Sequence, residues 1–574
     1  MTRIWLVVIE LTWLVGLAGC GASQASNTVR PDVLRIAYTE EAESLNPITS
    51  GDLTSGLFQD CVYESLALRN MHDPDELLPC LAEKWEFDEE RLEYTIHLRR
   101  GVMWQAIKLP NGVELPPREL TMRDVKFTFD CILNPHIPAS RRGDFEDLQA
   151  TDASQRYKIK LDVIDSHTCK IRWNQRYFLA EESILMGPII PRHVFSVDAD
   201  GELISLDFSS KEFADGFNVH WANRTMCGTG PLRVEHWRRN ERLSLARNAD
   251  YWGEPFHFKR LVFVCEPNSF SLLQKLLHQE LDWADIDQKD LYLQNRHHPE
   301  VEAGRVVLKE YNYPGYRYLG YNLRRPLLHD KLVRRALTQA IPVEQIIQVV
   351  FNGLATQVTG PFANQSKAYD QSIEPLPFDL AAARKLLDQA GWVDSNHNGT
   401  RDKIVDGGRV EAVLNLTIEA NSSQYLSVAQ IIQTNWRQIG VRVDITPVQQ
   451  ALMTQRMRAK DFDAVLLGWS LAWHADPYNT WYSGNAALPD TSNTIGYSNP
   501  EVDKLVTELR VTFDKKKQRE IYHRVHRLIY DDQPYTFLFS EKQTCGYHGR
   551  LQDVHLYAVA PCVDYREWSA RPGR

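Results

Sequence analysis

The signatures that would mark a catalytic centre are missing from these 574 residues. No HExxH arrangement sets two imidazoles and a carboxylate around zinc, and no GxSxG elbow lifts a serine out of a strand–helix turn. Gly51 and Gly56 have the spacing of a phosphate loop, but Leu57 stands where the lysine must be, so no cation meets a phosphate. His523 and His526 lie three apart in a helical stretch and could face a metal together. No third ligand stands at metal-site spacing, which makes a packed or solvated pair the plainer reading. His297 and His298 beside Pro299 read as a loop. Acid–base carboxylates need no signature, so a secreted hydrolase stays open as an alternative.

One loop has the form of an ion site. Asp394-Ser395-Asn396-His397-Asn398-Gly399-Thr400-Arg401-Asp402 puts oxygen side chains at alternate positions before a glycine, as a calcium loop does. The twelfth position is Val405, where a bidentate glutamate belongs, and Asp, Asn and Gly build ordinary turns as well. The turn is the preferred reading, and no metal site or cofactor is expected.

At the N-terminus, Arg3, an apolar run from Ile4 to Ala18 interrupted by Glu10, and small residues from Gly19 describe an export signal too short to span a bilayer. Leu17-Ala18-Gly19-Cys20 resembles the bacterial lipobox. That resemblance implies removal of residues 1–19 and acylation of the Cys20 sulfur, which would tie the protein to a membrane. An ordinary secretory signal with a chance cysteine is the alternative. Eight cysteines follow: Cys61, Cys80, Cys131, Cys169, Cys227, Cys265, Cys545 and Cys562. Outside the cytoplasm they could pair, or stay as buried thiols; both readings remain open.

The elements that must carry any site can be read more firmly. Residues 20–31 are small and polar and read as a tether. Val33–Tyr38 is a predicted strand, and Tyr94–Leu98 alternates with period two. Asp379 caps a predicted helix carrying Leu380, Ala383, Leu386, Leu387 and Ala390, stopped by Gly391. Val428, Ile431, Ile432, Trp436 and Ile439 give a second amphipathic helix. Val441, Val443 and Ile445 then alternate as a strand, and Phe462–Trp469 reads as a central strand. Asn499-Pro500 opens a third helix. Interleaved strands and helices point to an α/β architecture, and the length to several domains. A formal net charge of -10 argues against a nucleic-acid partner, which would need a basic face.

Several blocks, in order, resemble the large bacterial dipeptide- and oligopeptide-binding proteins of ABC importers, the peptide/nickel type. They are Ser44–Pro47 (SLDP), Leu81–Trp85 (LAExW), Ile96–Trp104 (FxLRxGVxW), Asp124–Phe129 (DVxFSF), Gly228–Pro231 with Arg247–Trp252 (GTGPY and RNPDYW), and Val333–Leu337 (VRxAL). Phe462–Trp469, Asp476-Pro477 and Tyr497–Asp503 complete the series. The resemblance implies an α/β, two-lobed periplasmic-binding-protein fold of type II, with hinge closure and an extra inserted domain. Lobe one would comprise 32–54, 188–308 and 530–574, the inserted domain 55–187, and lobe two 309–529. The implied role is a monomeric, extracytoplasmic binder, not an enzyme, that hands an oligopeptide-like ligand to permease subunits. A sensor or metal-chelate binder of the same fold is the alternative.

Carried over residue by residue, the ligand backbone would lie between Glu41-Ala42-Glu43 in lobe one and Gly468-Trp469-Ser470 in lobe two. Where many relatives place an aspartate for the ligand amine, three residues after the tryptophan, this chain has Ala472; Asp476 is the next acid. The stretch Ala420–Gln424 lacks the arginine that dipeptide binders use for the ligand carboxylate. A buried charge without a partner is costly. The expectation is therefore longer peptides or other extended amphiphiles, with charges in water or at Asp476. Trp469, Trp473, Trp481 and Tyr482 would line apolar pockets, or pack within lobe two.

Overall fold

The computed structural model describes residues 32–146, 158–489 and 491–571. The signal segment, Cys20 and the tether lie outside the described residues. No helix among the described residues is long and apolar enough to cross a membrane.

A 12-stranded mixed sheet organises the molecule. In one half, Val33–Tyr38 runs parallel to Arg260–Cys265 and Trp283–Asp285, so their carboxyl ends share one side. In the other half, Val413–Glu419 runs parallel to Arg442–Val448 and to Ala464–Ser470, with Gly315–Tyr321 antiparallel beside the last. Tyr535–His548 joins the halves. Its first residues pair with Gly315–Tyr321 and Ala355–Gln357, and its last with Val306–Asn312 and Trp283–Asp285. The chain thus changes halves twice, at Tyr313-Pro314 and near Glu541-Lys542. Both crossings fall later than the expected 309 and 530. Residues 309–312 extend a strand already paired in the first half, and 535–541 pair in the second.

Period-two alternation covers both faces of the second half. Leu319, Tyr321, Leu414, Leu416 and Leu466 face one core, with Val428, Ile432 and Trp436 of the helix Ser423–Gln438. Tyr316, Tyr318 and Val465 face the other, with Val502, Leu509, Val525 and Ile529 from Pro500–Arg510 and Lys515–Asp532. The helix caps stand where the sequence puts them. Asp379 accepts from the Ala381 and Ala382 amides, and Asn499 from Glu501 and Val502. Trp436 is fully buried and donates to Leu337 O at 2.9 Å. Its truncation to alanine would cost about 3–5 kcal/mol.

Residues 55–187 carry their own four-stranded sheet, built from Ala82–Asp88, Glu93–Leu98, Ile159–Val163 and Thr168–Trp173. It is no isolated body: Ile96, Trp104, Phe127 and Ile171 belong to the same buried cluster as Leu34, Ile36 and Phe263.

Candidate ligand cleft

Ala464–Ser470 pairs along its whole length with Gly315–Tyr321, from Tyr321↔Ala464 to Gly315↔Ser470. On its other edge it meets Val413–Glu419 only at Leu416↔Ala464 and Thr417↔Val465. The two strands then part, and Leu466–Ser470 has no strand on that edge among the described residues. A cavity of about 130 Å³ opens in the gap, lined by Arg317, Glu419, Tyr425, Gln450 and Leu466–Gly468. It lies where the parallel strands of this half end, the place where open α/β sheets take ligands. An unpaired strand edge is a template for an extended partner, whose main chain pairs while its side chains alternate.

Gly468 is shaped for its neighbour. A Cβ there would come within 2.2 Å of Arg317 Nη1, so the bare backbone lets the guanidinium lie across the strand. Arg317 Nε donates to Glu541 Oε1 at 2.7 Å, and its guanidinium sits 4.8 Å from the Tyr425 ring centre. The Tyr425 hydroxyl donates to the same oxygen at 2.9 Å. Burial alone would lower the Arg317 pKa; Tyr425, Glu541 and Glu419 around it hold it above its ordinary value. None of these side chains except Gly468 was singled out by sequence, because they come from separate elements and form no motif.

Trp469 turns away from the gap. Its ring lies parallel to Tyr318, 6.5 Å between centroids, against the aromatic core. Ser470 is exposed at the strand end. In lobe one, the backbone of Glu41-Ala42-Glu43 is already engaged. The Ala42 amide donates to Glu41 Oε1 at 3.1 Å, its carbonyl accepts from Arg239 Nη2 at 3.1 Å, and the Glu43 amide reaches Asp52 Oδ2 at 3.4 Å.

Asp476 also has partners of its own. Arg510 Nε lies 3.0 Å from Oδ2, the Tyr177 hydroxyl donates to the same oxygen at 3.4 Å, and the Tyr478 amide donates to Oδ1 at 3.0 Å. Burial raises its pKa, with Arg510 opposing. Asp476 is thus held by an ion pair with Arg510 and by the Tyr478 amide of the turn that follows it. The aromatics nearby are packed: Trp481 lies in the core, Tyr482 stacks on Tyr478 at 4.4 Å, and Trp473 joins Tyr557 and Val559.

A second group of contacts joins the inserted segment 55–187 to lobe two. His474 Nε2 is 3.0 Å from Asp75 Oδ1, and its Nδ1 meets Glu182. Trp473 Nε1 donates to Asp75 Oδ1 at 2.8 Å, and Lys367 pairs with the other Asp75 oxygen. Arg69 Nη2 closes on Glu182 at 2.5 Å. Desolvation would raise the Asp75 carboxyl, but bonds from Lys367, Trp473 and His474 bring it down to about 2. Further along, the Phe178 amide donates to Arg510 O at 2.9 Å, and Phe87 packs on Phe513. The lobes are in contact through these pairs.

The metal-like patterns resolve into structure. His526 is buried, accepts from the Asp370 amide at 3.1 Å and meets Thr359 Oγ1 at 3.2 Å; His523 reaches Lys367 O. In the 394–402 loop the carboxylates take up backbone amides: Asp394 accepts from Asn398 and Gly399, and Asp402 from Ser395. All eight described cysteines are free thiols.

Fold and cleft together define a two-lobed α/β solute-binding protein of the type II periplasmic class. Residues 76–488 match the model of bacterial extracellular solute-binding proteins, family 5, middle region. The chain belongs to that family. It is 24% identical to the oligopeptide-binding protein AppA of Bacillus subtilis, over 99% of this chain and 98% of that one. It is 25% identical to the dipeptide-binding protein of Escherichia coli, covering 90% of this chain and 92% of the relative. Among solved structures, AppA of Bacillus subtilis with a nonapeptide superposes with a TM-score of 0.71 at 21% identity, over 94% of this chain and 99% of that one. NikZ of Campylobacter jejuni with Ni(L-His) gives 0.71 at 22%, over 94% and 100%.

Proposed function

We propose that this protein captures an extended peptide between its lobes and delivers it to an ABC importer. The carrying observation is the open edge of Leu466–Ser470 at the mouth of a cavity, which offers main-chain pairing to a ligand of variable sequence. Relatives named for oligopeptides and dipeptides, matching along most of the chain, support the same reading. The two crossings at Tyr313-Pro314 and Glu541-Lys542 are few enough to act as a hinge. Release then requires the contacts between the lobes to part, those of His474, Trp473 and Lys367 with Asp75 and of Asp476 with Tyr177 among them. Glu41–Glu43 remain the lobe-one segment proposed to meet the ligand. Acylation of Cys20 would hold a monomer at the membrane near its permease.

Native mass spectrometry of the protein purified from a bacterial host tests this. Mass adducts that fragment to peptides support it; a protein that carries no peptide and takes up none from a peptide digest contradicts it.

A further inference from the structure

The charges around the gap are unbalanced. Glu541 is engaged by Arg317 and Tyr425, both at Oε1. Glu419 ends its strand half-buried on the cavity wall, near enough to Arg317 to raise its pKa, and its carboxylate forms no hydrogen bond or ion pair among the described residues. Arg317 is the one cation on the cavity wall; it faces both Glu419 and Glu541, and its Nε is already paired with Glu541.

A ligand lying along Leu466–Ser470 covers Glu419. A neutral ligand strips water from that carboxylate and returns nothing, and an anionic one adds repulsion. A cation replaces the lost water and settles the excess charge. The cavity of about 130 Å³ has room for one side chain or a chain terminus, not for a second peptide residue with its own solvation.

We propose, resting on the peptide-binding reading, that the gap selects ligands carrying a cationic group at this position and that Glu419 is the residue that holds it. The group is an ammonium or guanidinium, supplied by the ligand's α-amine or by a lysine or arginine side chain. Glu419 thereby takes the part that Asp476, paired with Arg510, does not fill.

The test is calorimetry on the full mature chain with four pentapeptides: free penta-alanine, its N-acetylated amide, and capped peptides with lysine or with glutamate at the centre. Wild type should bind the free or the lysine peptide at least roughly tenfold more tightly than the capped neutral one, the scale of a desolvated charge pair. Which of the two gains identifies α-amine or side chain as the source. Glu419→Gln should reduce that preference to about nil with an unchanged melting temperature, and Glu419→Lys should turn it toward the glutamate peptide. Equal binding of neutral and cationic peptides, or a preference that survives Glu419→Gln, overturns the assignment while leaving peptide binding intact. Binding of none of the four overturns both.

Discussion

His474 Nε2 lies 3.0 Å from Asp75 Oδ1, although 399 residues of chain separate them. The same ring meets Glu182 through Nδ1, so one imidazole of lobe two bridges two carboxylates of the inserted segment. Lys367 and Arg69 balance the outer oxygens, and Trp473 adds a donor. The contact runs from one lobe to the other, where it can act as a latch.

Removing the latch should favour opening. For His474→Ala we expect the closed-to-open ratio to fall by roughly tenfold, since partly buried charged hydrogen bonds contribute about 1–2 kcal/mol. Ligand release followed by stopped-flow fluorescence should quicken accordingly while the melting temperature of lobe two barely moves. An unchanged release rate would show that the bridge forms without bearing on closure.

Acid should destabilise the fold through its buried histidines. Burial lowers His193, His220 and His526 to about 4. The unfolded rings protonate near pH 6.5 and the folded ones only near 4, so the unfolded state binds more protons in that window. Stability is therefore intact above about pH 6.5 and falls as pH drops toward 4, by up to about 1.4 kcal/mol per pH unit for each ring. Melting temperature against pH checks this. His526→Gln should melt lower at neutral pH but with a shallower acid slope; an unchanged slope would remove His526 from the explanation.

Two glycines should respond in opposite ways. A Cβ on Gly228 would sit 1.8 Å from the Val62 carbonyl oxygen, a backbone atom that cannot swing aside. Gly228→Ala should cost several kcal/mol, about 3 by the usual scale of overpacked cores. Gly56 lies in the helix Leu53–Gln59 with nothing within 4 Å of a Cβ, and alanine there should gain about 0.5–1 kcal/mol. Chemical denaturation of both variants decides; similar effects would mean the close approach at Gly228 relaxes.

Much of this architecture was legible beforehand, and for local reasons. Caps such as Asp379 and Asn499, the alternating strand Arg442–Val448 and the apolar central strand Ala464–Ser470 are properties of neighbouring residues. The cleft was not. Arg317, Glu419, Tyr425 and Glu541 meet only because four elements converge, and the Asp75–His474–Glu182 bridge joins residues in no common pattern. The position of Asp476 after the strand was visible, but its partner Arg510 was not. The crossings at 313–314 and 541–542 were missed because strand pairing, not composition, sets them.

Cys20→Ser tests membrane attachment. The variant should leave the membrane fraction and lose labelling by a fatty-acid analogue, because stable anchoring needs covalent acyl chains. A variant that keeps both would rule out Cys20 as the site.

The most direct measurement of the central claim is small-angle X-ray scattering of the mature protein with and without a bound peptide, followed by recovery of the peptide. Hinge closure over a captured ligand predicts a smaller radius of gyration on binding and a peptide returned intact. Saturating, tight binding with an unchanged radius, or recovery of cleaved fragments, would contradict a two-lobed binding protein that closes on its ligand and releases it whole.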